Sequence, residues 1–160
     1  MPGRGLTVAC DFSLSGSATA GTLNTLSVGR DFTLSGTAQF TAGNAVAVTR
    51  NFTLNTGPTF TAATYSHSVG GDFSNSGTFN ANTSTFTFNG TAAQNITGAT
   101  TFHNLTLSNA NGLTINNNVT VSTLLTFTNG RITTGANKII IGTAGSHTGS
   151  SSARYVVGTM

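Results

Sequence analysis

The chain has 160 residues, a net charge of +3 and 6% charged side chains, against about a quarter in an ordinary soluble domain. Thr, Ser, Asn and Gly fill 85 positions (32, 16, 17 and 20), and the only acidic residues are three Asp. So few carboxylates leave little material for acid/base catalysis or a hard-metal site. Sparse bases exclude phosphate tracking, and no apolar run is long enough for a helical membrane span.

The sequence pI of about 9.8 reflects scarce carboxylates rather than abundant bases. Arg4, Arg30, Arg50, Arg131, Lys138 and Arg154 are spread along the chain, whereas nucleic-acid binding needs a dense patch. We expect no nucleic-acid partner, no cofactor and no metal.

Residues 1–10 read as a lead-in or cap. Thr7-Val8-Ala9-Cys10 has the outline of a lipoprotein cleavage site, but the apolar stretch before it is far below the roughly 7–15 residues of a signal segment. Cys10 is the only cysteine, so neither an internal disulfide nor a Cys-based zinc site is available. It reads as a small buried or terminal residue.

From residue 11 the chain repeats. Asp11-Phe12-Ser13-Leu14 recurs as Asp31-Phe32-Thr33-Leu34, Asn51-Phe52-Thr53-Leu54 and Asp72-Phe73-Ser74-Asn75, in steps of 20, 20 and 21. Gly16, Gly36, Gly57, Gly77 and Gly98 keep the same beat, as do Phe40, Phe60 and Phe79, and Val28, Val48 and Val69. Later copies change the words and keep the period: Leu105 with Leu125, Leu107 with Phe127, Val119 with Ile139, Val121 with Ile141. The repeat region is 11–145, and 146–160 reads as a lead-out.

Within a repeat the pattern alternates apolar–Thr–apolar, as in Leu105-Thr106-Leu107, Leu113-Thr114-Ile115 and Val119-Thr120-Val121. This is the period of a strand. Asn89-Gly90, Asn111-Gly112 and Asn129-Gly130 read as turns, because Asn and Gly tolerate positive φ. No helical stripe is present. Three short strands and three corners fit within one such period and make one coil of a parallel β-solenoid. A single coil cannot bury its inward face, whereas stacked coils can. The expected fold is therefore all-β: residues 1–160 as one right-handed parallel β-helix of about eight coils, with inward Phe, Leu, Val and Ile and outward Thr and Ser ladders.

Chemistry in such a fold is judged by column. Asp11, Asp31, Asn51 and Asp72 share one, where stacked carboxylates would repel. Arg30 and Arg50 stand beside them to neutralise the charge. A cation or sugar site along this edge is one reading. A corner of Asx-turns accepting backbone N–H groups is the other, and Asn51, which keeps the turn role without the charge, favours it. His67, His103 and His147 are about two coils apart each, roughly 10 Å and too far to share a metal. They read as surface or turn residues. Tyr65 and Tyr155 are isolated, and Phe86 and Phe88 read as core. Six Asn-x-Ser/Thr triplets begin at Asn51, Asn82, Asn89, Asn95, Asn104 and Asn118, about as many as composition gives by chance. Residues 61–71 and 143–153 read as irregular stretches able to carry contacts. No catalytic motif is found, and the chain is expected not to be an enzyme.

The runs Asn89-Gly90-Thr91-Ala92-Ala93-Gln94-Asn95-Ile96-Thr97-Gly98, Phe102-His103-Asn104-Leu105-Thr106-Leu107, Asn117-Asn118-Val119-Thr120-Val121 and Thr128-Asn129-Gly130-Arg131-Ile132 resemble the β-strand-repeat segments of large secreted and cell-surface proteins of Bacteroidota and related bacteria. The resemblance covers nearly the whole chain. It implies an extracellular or cell-surface stalk, adhesin or filament part. Ser152-Ala153-Arg154-Tyr155-Val156-Val157-Gly158 looks like the lead-in to another module, which points to a fragment of something longer. The expected function is a structural β-solenoid whose partner is itself, by head-to-tail stacking. The alternatives are an adhesin contacting surface glycans and an ice-binding Thr array at Ser13-x-Ser15, Thr33-x-Ser35, Thr53-x-Asn55 and Ser74-x-Ser76.

Overall fold

A computed structural model describes residues 5–22 and 24–160. Among them are twenty strands and no helix. The first coil holds β1 (Leu6–Val8), β2 (Phe12–Leu14) and β3 (Thr19–Gly21), and the second β4 (Leu26–Val28), β5 (Phe32–Leu34) and β6 (Gln39–Thr41). The third holds β7 (Val46–Val48), β8 (Phe52–Leu54) and β9 (Thr59–Thr61), and the fourth β10 (Ser66–Val69), β11 (Phe73–Asn75) and β12 (Thr78–Asn80). The three strands of each coil lie on three faces, each paired in parallel with its equivalents one coil away. The chain is a β-solenoid of about eight coils.

The three-short-strand coil ends at the fourth. β13 (Thr85–Phe88) and β14 (Gln94–Thr97) are followed by β15 (Thr100–Ser108), which closes the fifth coil and opens the sixth. After β16 (Leu113–Ile115), β17 (Val119–Asn129) joins the sixth coil to the seventh, and β18 (Ile132–Ile141) forms two faces of the seventh. For β15 and β17 the reason is corner length. The corner between third and first face spans residues 42–45, 62–65 and 81–84 in earlier coils, but only His103, then Ser122 and Thr123, in the next two. A corner that short has no room for a turn, so the strand runs through it. β19 (Ser146–Thr148) and β20 (Val156–Thr159) stack as an eighth coil.

The register matches the repeat read from sequence: Leu105 pairs with Leu125, Leu107 with Phe127, Val119 with Ile139 and Val121 with Ile141. Inward columns make one core. Phe12, Phe32, Phe52 and Phe73 stack nearly parallel, with centroids 5.0, 4.8 and 5.1 Å apart. Phe40, Phe60 and Phe79 form a second stack at 5.5 and 5.9 Å. The two stacks meet edge to face, as at Phe52–Phe60, 4.9 Å and 88°, the arrangement that the ring quadrupoles favour. Phe86 and Phe88 are buried in the same core, which is mostly aliphatic beyond Phe102, with Phe127 as its buried aromatic. The outward positions of the first face form one rank through all eight coils, from Thr7 through Ser27, Ala47, Ser68, Thr87, Thr106 and Thr126 to Thr148.

One corner needs glycine. Gly16, Gly36, Gly57 and Gly98 have φ of 64, 67, 104 and 92°. A Cβ on Gly36 would also lie 2.8 Å from both N and O of Gly16, so stacked corners touch backbone to backbone. Gly77 keeps the beat without the positive φ. Of the three Asn-Gly pairs, Gly112 and Gly130 have the expected positive φ and Gly90 does not; its N–H is instead held by Gln94 Oε1 at 2.9 Å.

Candidate functional site

The Asp11 column is a ladder between coils. Asp31 N–H donates to Asp11 Oδ1 (3.2 Å), Asn51 N–H to Asp31 Oδ1 (3.0 Å), Asp72 N–H to Asn51 Oδ1 (2.9 Å) and Asn95 N–H to Asp72 Oδ1 (2.7 Å). The expectation of side chains accepting backbone N–H groups at a corner is met with one correction. The donor is the equivalent residue of the next coil, not the residue's own turn. Asp and Asn both supply the needed oxygen, which explains their exchange at Asn51.

Charge follows the same ladder. Arg30 Nε lies 3.5 Å from Asp11 Oδ1 and Arg50 Nε 3.7 Å from Asp31 Oδ1. Asn51 carries no charge, and the next coil has Gly71 in the arginine's place. Asp72 receives a second donor, Asn95 Nδ2, at 3.2 Å.

The histidines are not brought together. His147 is exposed and His103 is half-buried, its Nδ1 3.2 Å from Thr123 Oγ1. His67 is in the core, not at the surface or in a turn: it is 2% exposed and packs against Phe86 at 4.8 Å. The step from Val48 to Val69 is longer than the step from Val28 to Val48, and β10 pairs with β7 only from Ser68 and Val69. In earlier coils the equivalent amides are paired, Leu6 N–H with Thr25 O and Leu26 N–H with Ala45 O. Val46 N–H instead donates to His67 Nδ1 at 3.1 Å, and His67 Nε2 lies 2.8 Å from Ala62 O. An amide can only donate, so Nδ1 accepts and Nε2 carries the proton. Burial pushes the His67 pKa below 6.5, and the bond to Ala62 O only partly opposes this.

Other irregular coils are sealed the same way, at residues that sequence reasoning missed. Asn75 replaces the inward Leu of Leu14, Leu34 and Leu54; its Nδ2 donates to Thr100 Oγ1 (3.1 Å) and its Oδ1 accepts from Gly77 N–H (3.2 Å). The step from Phe73 to its partner Ile96 is longer than the step from Phe52 to Phe73. There the buried Gln94 donates to Val69 O and Gly71 O, and accepts from Gly90 N–H and Asn109 Nδ2. Thr134, fully buried beside the register shift of β18 on β20, accepts from Thr159 N–H at 3.0 Å. The available signal was the Leu-to-Asn break in the fourth copy of the motif.

Cys10 is exposed, not buried. Residues 61–71 are less irregular than expected, since β10 occupies 66–69. Ser15, Ser35, Asn55 and Ser76 lie just past their strands, so the second rank of the expected Thr/Ser array is off the flat sheet. Among the described residues no group of three or more His, Cys, Asp or Glu could hold a metal ion. Two open clefts lie at corners. One of about 290 Å³ is lined by Ala47, Ser68, Gly70, Asn89 and Thr91. One of about 420 Å³ is lined by Asn111, Thr114, Asn129, Arg131, Thr133 and Ala153. Comparison with protein-family models, curated proteins and solved structures finds no match.

Proposed function

We propose that the chain is a length of structural rod outside the cell, a non-catalytic β-solenoid that builds a stalk, a surface layer or a filament. The observation that carries this reading is one core running along about eight stacked coils under a surface of hydroxyl and amide side chains. Two of the three carboxylates, Asp11 and Asp31, are committed to backbone N–H groups and arginines. The resemblance to cell-surface β-strand repeats points the same way.

Self-association by head-to-tail stacking belongs to this reading. Val8, Phe12, Leu14 and Ala20 pack against the core and are only partly buried, and the edge strands of a terminal coil template further pairing. A heterologous contact that does not close builds a fibre. Electron microscopy of purified chain at rising concentration tests this. Straight rods many chains long are expected, and dispersed single particles at high concentration would refute stacking.

An adhesin role is the second reading, favoured by the two corner clefts and their small polar linings. A glycan array without hits would remove it. Ice binding has less support, because the expected array mixes Ser13, Thr33, Thr53 and Ser74 with Ser15, Ser35, Asn55 and Ser76, and its second rank lies past the strands. Thermal hysteresis at the buffer level would remove it.

A further inference from the structure

The charge of the molecule is polarised along its axis. In residues 1–80 three arginines and three aspartates cancel, and Arg131, Lys138 and Arg154 carry the whole net charge of +3. No side-chain carboxylate follows Asp72. The coils that hold β18 and β20 are thus cationic with no acidic side chain of their own to answer them.

Arg131 lines the larger cleft, about 420 Å³. Its guanidinium carbon sits 5.0 Å over the Tyr155 ring centroid. That contact holds the side chain by cation–π attraction and leaves the N–H edge of the fork for a ligand. Arg154, next in the chain to Ala153 of the cleft wall, donates to Ser151 Oγ at 3.3 Å and to Thr128 O at 3.1 Å. Thr114 and Thr133 are register partners on the outward side of β16 and β18, and both line the cleft together with Asn111 and Asn129. A planar cation with bidentate geometry beside hydroxyl and amide groups suits a ring that carries both hydroxyls and an anionic substituent.

We propose that this cleft binds an anionic sugar unit of an acidic polysaccharide, with Arg131 pairing the carboxylate or sulfate and Thr114, Thr133 and Asn129 bonding ring hydroxyls. The proposal rests on the extracellular reading above and gives the glycan-contacting alternative a chemical class. The cleft is open to solvent, so a single unit binds weakly, and a polymer spanning several stacked chains gains by multivalency.

Affinity electrophoresis of the full chain through gels containing polygalacturonate, a sulfated dextran or neutral dextran tests it. Retardation by at least one acidic polymer and none by neutral dextran is expected, and the two acidic gels distinguish carboxylate from sulfate. Arg131→Gln should weaken the retardation about fivefold or more, while Arg30→Gln, which removes the same charge at the other end, should leave it nearly unchanged. Circular dichroism checks both folds, and Arg50→Gln replaces Arg30→Gln if the latter fails. Equal loss in both variants would mean diffuse charge attraction and overturn the site, as would no retardation in either acidic gel. Stronger retention by single-stranded DNA than by either polysaccharide would also overturn it. None of these outcomes bears on whether rods form, which microscopy reads separately.

Discussion

His67 sits where the column holds Leu26 and Val46, with both ring nitrogens committed to backbone groups. Protonation would aim an N–H at the Val46 N–H. The neighbouring strands β7, β9 and β13 carry no charged or titratable side chain to stabilise an imidazolium. Its folded-state pKa lies below the unfolded 6.5, so between the two values the unfolded chain binds the extra proton. The contribution to stability is therefore fully present above pH 6.5 and is lost as the pH falls through the folded-state value. Urea midpoints should be flat above that pH and fall below it, by at most about 1.4 kcal/mol per pH unit from this group. His67→Leu should remove that part of the slope and cost about 1–3 kcal/mol at neutral pH, because it strands two buried backbone groups. Backbone conformation gives a second, opposite pair. Gly36→Ala should cost more than about 1 kcal/mol, from both the left-handed φ and the contact with Gly16. Ala63 already has a φ of 56°, so Ala63→Gly should be neutral or stabilise by up to about 1 kcal/mol. Thermal melts of the two variants check the signs.

At the scale of the coil, the Asp ladder needs an acceptor more than a charge. Asp31→Asn keeps the bond to Asn51 N–H and loses only a half-exposed ion pair with Arg50, worth about 0–1 kcal/mol. Asp31→Ala loses the acceptor too and should cost about 1 kcal/mol more. Chemical denaturation of both variants measures the difference, and equal losses would contradict the ladder. Much of this was legible in sequence. The Phe12, Phe32, Phe52 and Phe73 column and the Val119–Ile139 pairing follow from a fixed period and strand alternation. The target of the Asp side chains was not, because a turn motif read along the chain does not reveal a donor one coil away. Nor was the burial of His67. A lengthened step can be absorbed at any of three corners, and each choice puts a different side of β10 inward. The Gln94 seal lies in another lengthened step, between Phe73 and Ile96, with no copy to align against. The departures from the period are thus both the least legible places and the ones where the core is polar.

Across the whole molecule, stacked columns make a rod whose two ends differ. One end has balanced charges over a phenylalanine-rich core, and the other has an excess of cations over a mostly aliphatic one. Length along the axis then counts coils, not residues. Spin labels on the outward rank of the first face read this directly, after Cys10→Ser removes the native thiol. With one label at Ser27 and the other at Thr106, Thr126 or Thr148, the pairs are four, five and six coils apart. Double electron–electron resonance should give distances rising evenly, near 19, 24 and 29 Å for a rise of about 4.8 Å per coil. Distances that fail to rise with coil number, with the Thr148 pair no longer than the Thr106 pair, would contradict the stacked-coil rod.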